Sequence, residues 1–424
     1  MDLNKLLYLG VELGYRLQLS GAETYRVEES VNRLLGAYGV ECETFAIPNS
    51  LIVSIKDENG QVLTRLRRIG YHGTNIDAIE RCNAICRKIC AEKPDIDTAQ
   101  EMLKAEYGKL KSYSLPIIIL AYLVSSFAFA IFFGANFWEA CFAGICGTAC
   151  GFTLEFMSWL HVNDFFKIIS GGFVITVMTQ SFAAAGIIPR ADAASIGAIM
   201  LLVPGLSFTN SMRDIIYGDI VSGTNRLVQV IISAVAIALG TGSAISFCRF
   251  IYGTAALNMT TMPDSVWIQC ASAFVACLGF CILYNIKGVG MCLCAAGSSL
   301  SWFVFSVCVS LELGDYLAGF IAAAAITIYA EVMARIRKFP ATSYLIVSLL
   351  PLVPGASIYY TIEHLLNDNS EAFSARLVYT AGMAGVLAVG VLLVSSLFRM
   401  ASTWRQFHRM KNTLISQSTA ENKE

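Results

Sequence analysis

Ten separate stretches of this chain are long and apolar enough to cross a bilayer, and lipid permits very few backbone solutions. They lie near 115–134, 138–160, 165–188, 192–212, 226–248, 266–286, 289–311, 315–334, 341–361 and 376–398. About 20 apolar residues of α-helix cover ~30 Å of hydrocarbon. Inside it every backbone N–H and C=O must be satisfied within the protein, so helices are the default. Composition agrees. Of 424 residues, 56% are hydrophobic and only 14% charged, against about 25% charged in soluble domains. The expected fold is an all-α polytopic membrane protein with ten transmembrane helices. Basic and acidic residues nearly balance, 30 against 31, so there is no basic footprint for nucleic acid.

Charge is concentrated in residues 1–112. Leu3, Leu6, Leu7, Val11, Leu13 and Leu17 recur at helical spacing and predict a helix over 2–19. Asp2, Lys5, Glu12 and Arg16 interrupt that stretch and argue against a cleaved secretory signal. Ser20 and Glu23 read as a capping box opening a second helix to about Ala37. Three β-rich runs follow, 40–47, 50–56 and 61–69, separated by Pro48-Asn49 and Glu58-Asn59-Gly60 turns. Helices at about 75–91 and 95–110 complete an α+β domain over 1–112. Cys82, Cys86 and Cys90 share a helix face and read as packed core in a reduced compartment, not as metal ligands. Glu23, Arg26, Glu28 and Glu29 crowd the start of the second helix. A solvated face with i,i+3 pairs explains them; a gate or ligand contact at the cytoplasmic mouth is the alternative.

Ten crossings place both termini on one side. Lys167, Lys287, Arg335, Arg337, Lys338, Arg399, Arg405, Arg409 and Lys411 then fall on the N-terminal side. The positive-inside bias makes that side the cytoplasm. The predicted order is the cytoplasmic domain 1–112, a first five-helix repeat 113–250, an extracytoplasmic linker 251–265, a second repeat 266–400 and a cytoplasmic basic tail 401–424.

The repeat is visible in the residues. Leu202-Val-Pro-Gly-Leu-Ser207 recurs as Leu352-Val-Pro-Gly-Ala-Ser357, and Arg226-Leu-Val228 as Arg376-Leu-Val378, both at an offset of 150. Asp164, Thr176 and Pro189 match Asp315, Thr327 and Pro340 at 151. Five spans per copy force the second to enter from the opposite face, giving two inverted five-helix repeats of the kind that supports alternating access.

Paired Gly/Pro interruptions in equivalent spans point to a transport site, here Pro204-Gly205 and Pro354-Gly355. Proline removes a donor and glycine relaxes the chain, so freed backbone groups meet a polar substrate at depth. Ser207, Asn210 and Asp214 follow the first break; Ser357, Tyr359 and His364 follow the second, with Asp214 aligned to His364. These residues are the expected binding or gating set. Glu155 and Glu331 are the expected proton-coupling groups, although an i,i+4 pair with Arg335 also explains Glu331. No phosphate loop, metalloprotease, hydrolase or potassium-filter motif is present, which leaves drive by an ion gradient. No cofactor or metal is called for.

Ser20-Gly-Ala-Glu-Thr-Tyr-Arg-Val-Glu28, Ile47-Pro-Asn-Ser-Leu-Ile-Val-Ser-Ile55 and Leu201-Leu-Val-Pro-Gly205 together resemble the threonine/serine exporter (ThrE-like) family. Residues 1–250 look like its larger component and 265–400 like its smaller one, fused in one chain. The resemblance implies no enzyme but a proton-driven exporter of small hydrophilic metabolites, threonine and serine above all, in the bacterial inner membrane. The implied partners are that substrate and the bilayer, and a homo-oligomer is compatible with the reading. Dicarboxylate export and a membrane sensor or assembly protein are the alternatives. Few basic residues lie within the spans, which favours a zwitterion over a dianion.

Overall fold

The computed structural model describes residues 2–57, 60–70, 73–189, 191–253, 265–337, 339–366 and 369–421. The N-terminal elements are α1 (Leu3–Leu19), α2 (Thr24–Ala37), β1 (Cys42–Ile47), β2 (Ser50–Lys56), β3 (Val62–Arg68), α3 (Ile76–Glu92) and α4 (Ile96–Gly108). The strands form an antiparallel meander that pairs Thr44 with Val53 and Val53 with Arg65. Alternation sends Leu51, Val53 and Ile55 into the core. There they join Leu6, Leu9 and Leu13 of α1 and Val27, Val31 and Leu34 of α2, all buried. Cys82 and Cys86 are buried on α3, with the Cys86 thiol donating to the Ser30 carbonyl at 3.6 Å.

The capping box at α2 does not form. Ser20 closes α1 instead, its hydroxyl donating to the Arg16 carbonyl at 2.8 Å. Glu23 occupies the N-cap of α2 without a side-chain cap, because its carboxylate is taken by two arginines.

The rest of the chain is helical: α5 (Leu115–Phe132), α6 (Phe137–Trp159), α7 (Asp164–Ala184), α8 (Ala191–Ile199), α9 (Gly205–Tyr217) and α10 (Ile220–Tyr252), then α11 (Val266–Leu283), α12 (Val289–Ser310), α13 (Asp315–Arg337), α14 (Ala341–Ser348), α15 (Gly355–Leu366) and α16 (Ser370–Glu421). Among the described residues, eight of these helices are long and apolar enough to cross a membrane. The stretches near 192–212 and 341–361 are not continuous helices. Each splits into two short ones, α8 with α9 and α14 with α15, at Pro204-Gly205 and Pro354-Gly355. Proline's missing donor and its clash with the preceding turn account for both breaks.

Residues 254–264, within the expected linker, lie outside the described residues, as do Lys338 and the side chains of Arg405, Arg409 and Lys411. The expected tail continues α16 as helix to Glu421.

Glycine lets the helices approach closely: a Cβ on Gly197 of α8 would lie 2.6 Å from the Ala130 Cα of α5. The N-terminal module is strapped to one end of the bundle. The Ile76 amide donates to the Tyr284 carbonyl at 3.0 Å, Lys287 pairs with Asp77 at 2.9 Å, and the Tyr113 hydroxyl donates to the Ile286 carbonyl at 2.8 Å. On the other flank, the Thr24 and Ser222 hydroxyls meet at 3.1 Å.

Candidate functional site

The two helix breaks touch. A Cβ on Gly355 would lie 2.8 Å from the Met200 sulfur and 3.4 Å from Val203 Cγ1, so the segment after α8 packs on the start of α15. Pro354 and Ser357 are buried here, Pro204 is half-buried and Ser207 is exposed. Gly205 opens α9 and Tyr359 lies in α15, with the Tyr359 side chain outside the described residues.

A cavity of about 430 Å³ opens between the module and the bundle, lined by α2, α9, α13, α14 and α16. Its walls carry Arg26, Arg213, Asp214, Glu331, Arg335 and Arg399. A continuous ionic chain joins three of these residues, Arg26, Arg213 and Asp214, through Glu23 and on to Arg226. Arg26 contacts Glu23 at 3.4 Å, Glu23 contacts Arg213 at 2.5 Å, Arg213 contacts Asp214 at 3.7 Å, and Asp214 contacts Arg226 at 3.5 Å. Glu23, Arg213 and Asp214 are each less than a tenth exposed. Burial alone would push the Glu23 carboxyl up; Arg213 and Arg26 outweigh it and hold the group at about 2. Burial also pushes the neighbouring Tyr25 phenol up to about 12.

A second cavity, about 410 Å³, lies at the end of the bundle away from the module, where α5 ends and α11 begins. Pro354 and Ser357 line it, together with Phe132, Trp302, Phe305 and Asp315. A smaller cavity, about 180 Å³, joins Ser207 and Asn210 to Arg226 and to Gly21 and Pro48 of the module. The sequence-predicted residues are therefore distributed: Asp214 and Glu331 in the module-side cavity, Pro354 and Ser357 in the far one, Ser207 and Asn210 against the module.

Glu331 makes the expected i,i+4 pair with Arg335 at 2.6 Å. Glu155 is half-buried on α6, outside these three cavities and without an ion pair among the described residues. His364 is half-buried on α15, also outside them. Its alignment with Asp214 brings the two into no contact among those described. The contact between Glu23 and Arg213 was not readable from sequence. Each residue sits in a polar stretch, but nothing in their spacing pairs them.

Long apolar helices, two broken ones meeting in their midst and a cavity on either side define a multi-pass membrane protein of the transporter type. The chain belongs to the threonine/serine exporter (ThrE) family, whose model matches residues 9–248. A companion model, described as "Threonine/Serine exporter, ThrE", matches residues 269–397. Among named relatives, a "Threonine/serine exporter" of Corynebacterium glutamicum is 22% identical over 401 residues, covering 92% of this chain and 81% of that protein. A "Probable threonine/serine exporter" of Mycobacterium tuberculosis is 20% identical over 403 residues, covering 92% and 75%. No solved structure matches.

Proposed function

We propose that this protein is a secondary-active exporter of threonine and serine, driven by the proton-motive force, with the N-terminal module in the cytoplasm. The observation that carries the reading is the contact between the two Pro-Gly breaks, with one cavity on each side of it. If each broken pair counts as one crossing, the chain crosses ten times in two halves of five. Crosswise packing supports inverted repeats: α9 packs on α10 and α16, and α15 packs on α16 and α10. Such an arrangement mirrors two gates around one site.

In this reading the module closes the cytoplasmic gate. Its Glu23 reaches Arg213 near the end of α9, so opening requires the ionic chain to part. Glu331 faces the inner cavity and is the better placed of the two proton-coupling candidates; Glu155 is not in it. A dicarboxylate is the second reading, favoured by the four arginines of the inner cavity. Arg26, Arg213 and Arg335 are, however, already paired with carboxylates, which leaves little positive charge for a dianion.

The test is efflux of labelled threonine, serine and succinate from loaded proteoliposomes, with and without an imposed pH gradient. Gradient-dependent threonine or serine movement is expected, with loss of most activity when Pro204-Gly205 or Pro354-Gly355 becomes Ala-Ala. Succinate movement alone would overturn the substrate. Movement of none by folded protein would overturn the transport reading.

A further inference from the structure

The far cavity differs in chemistry from the inner one. Of its described lining residues, Asp315 alone bears a formal charge. Its other walls are uncharged and include the aromatic rings of Phe132, Phe133, Trp302, Phe305 and Tyr379. Trp302 stacks on Phe305 with centroids 5.1 Å apart and meets Phe132 edge-on at 4.6 Å. The Trp302 indole N–H donates to Gln269 Oε1 at 2.9 Å, which fixes the ring. Tyr379 donates its phenol to Asp315 Oδ2 at 3.0 Å, leaving Oδ1 unengaged by that bond. Arg376 lies over the Tyr379 ring at 5.6 Å and is not part of the lining.

The internal repeat supplies a control. Asp315 corresponds to Asp164, and each opens its helix. Asp164 is neutralised one turn on by Lys167, at 2.8 Å. At the equivalent position Asp315 has Ala318. The second copy thus lacks the lysine and sets its carboxylate on an aromatic cavity.

We infer that the far cavity holds an ammonium subsite, in which Asp315 and the faces of Trp302 and Phe305 receive the substrate's primary ammonium group on its way out. The inference rests on the exporter reading and deepens it by stating what the exit recognises. A carboxylate and aromatic faces both attract a cation. A dianion would meet only like charge there, so the exit selects amino acids against dicarboxylates.

The experiment uses the full chain in oriented proteoliposomes, with competitors of labelled-threonine exchange added on the face away from the module. Threoninol keeps the amine without the carboxylate, and 2,3-dihydroxybutanoate keeps the carboxylate without the amine. Threoninol should compete, while 2,3-dihydroxybutanoate and succinate should not. Asp315→Asn should raise the far-face half-saturation concentration for threonine by about tenfold and Trp302→Leu by about fivefold, with the module-face value unchanged. Tyr379→Phe removes the bond to Asp315 but keeps the carboxylate, and should stay within about twofold of the parent. Equal competition by 2,3-dihydroxybutanoate, or an unshifted Asp315→Asn, overturns the subsite while leaving the exporter intact. A Tyr379→Phe loss equal to that of Asp315→Asn would make Asp315 merely structural and overturns it too. Succinate exchange without threonine exchange by the parent protein overturns both.

Discussion

Arg213 is a buried cation held by carboxylates from two parts of the molecule, Glu23 of the module and Asp214 of α9. Removing one partner of such a pair leaves an uncompensated charge, at a cost of about 3–5 kcal/mol. Glu23→Ala should therefore destabilise the protein by about that much in denaturant unfolding, whereas Asp97→Ala, at the solvent-exposed pair with Lys5, should leave the unfolding midpoint nearly unchanged. The pH dependence has a definite sign. The Glu23 carboxyl is depressed in the folded state from 4.5 to about 2, so its contribution is full above the unfolded value and is lost as pH falls through that window. Local pairs were legible in the sequence because helical spacing fixes them, as Glu331 and Arg335 show. The Ser20 cap was misread because the same four residues also suit the end of α1, and only the arginines around Glu23 decide between the two.

At the scale of elements, α3 meets the start of α14 through Glu80. Asp77 and Arg81 on α3, Arg337 on α13 and Ser343 and Tyr344 on α14 surround it. Burial pushes the Glu80 carboxyl up to about 7, against the pull of Ser343, Arg337 and Arg81. The folded state then keeps a proton that the unfolded chain releases near 4.5. Stability should fall as pH rises across that interval, with the loss complete above about 7. Glu80→Gln should flatten the slope, read as Tm against pH, and the protection factors of amides in α3 and α14, taken relative to intrinsic exchange, should no longer fall as pH rises toward 7. An unchanged slope in Glu80→Gln would assign the effect to another group. Helix breaks were legible at this scale because proline and glycine act on their own turn. The length of α16 was not: no Gly or Pro lies between 391 and 421, so nothing local stops the helix where the apolar stretch ends.

In the proposed reading the whole molecule is two related helical halves that meet at their breaks, with the N-terminal module sealing one end. The repeat that this reading needs could be argued from matched residues at offsets of 150 and 151. The ion chain between module and bundle could not, since contacts between distant segments leave no periodic trace. If the two cavities are the two mouths of an alternating-access exporter, they must open in turn, because a substrate that shifts one equilibrium shifts both mouths together. The direct measurement is electron–electron distance spectroscopy on a cysteine-depleted protein in nanodiscs, with spin labels at Glu29 and Ser395 across the inner cavity and at Ser310 and Ala356 across the far one. Titration with threonine should change the two distances in opposite directions. Distances that stay fixed, or that widen together, while threonine is still transported would contradict the account.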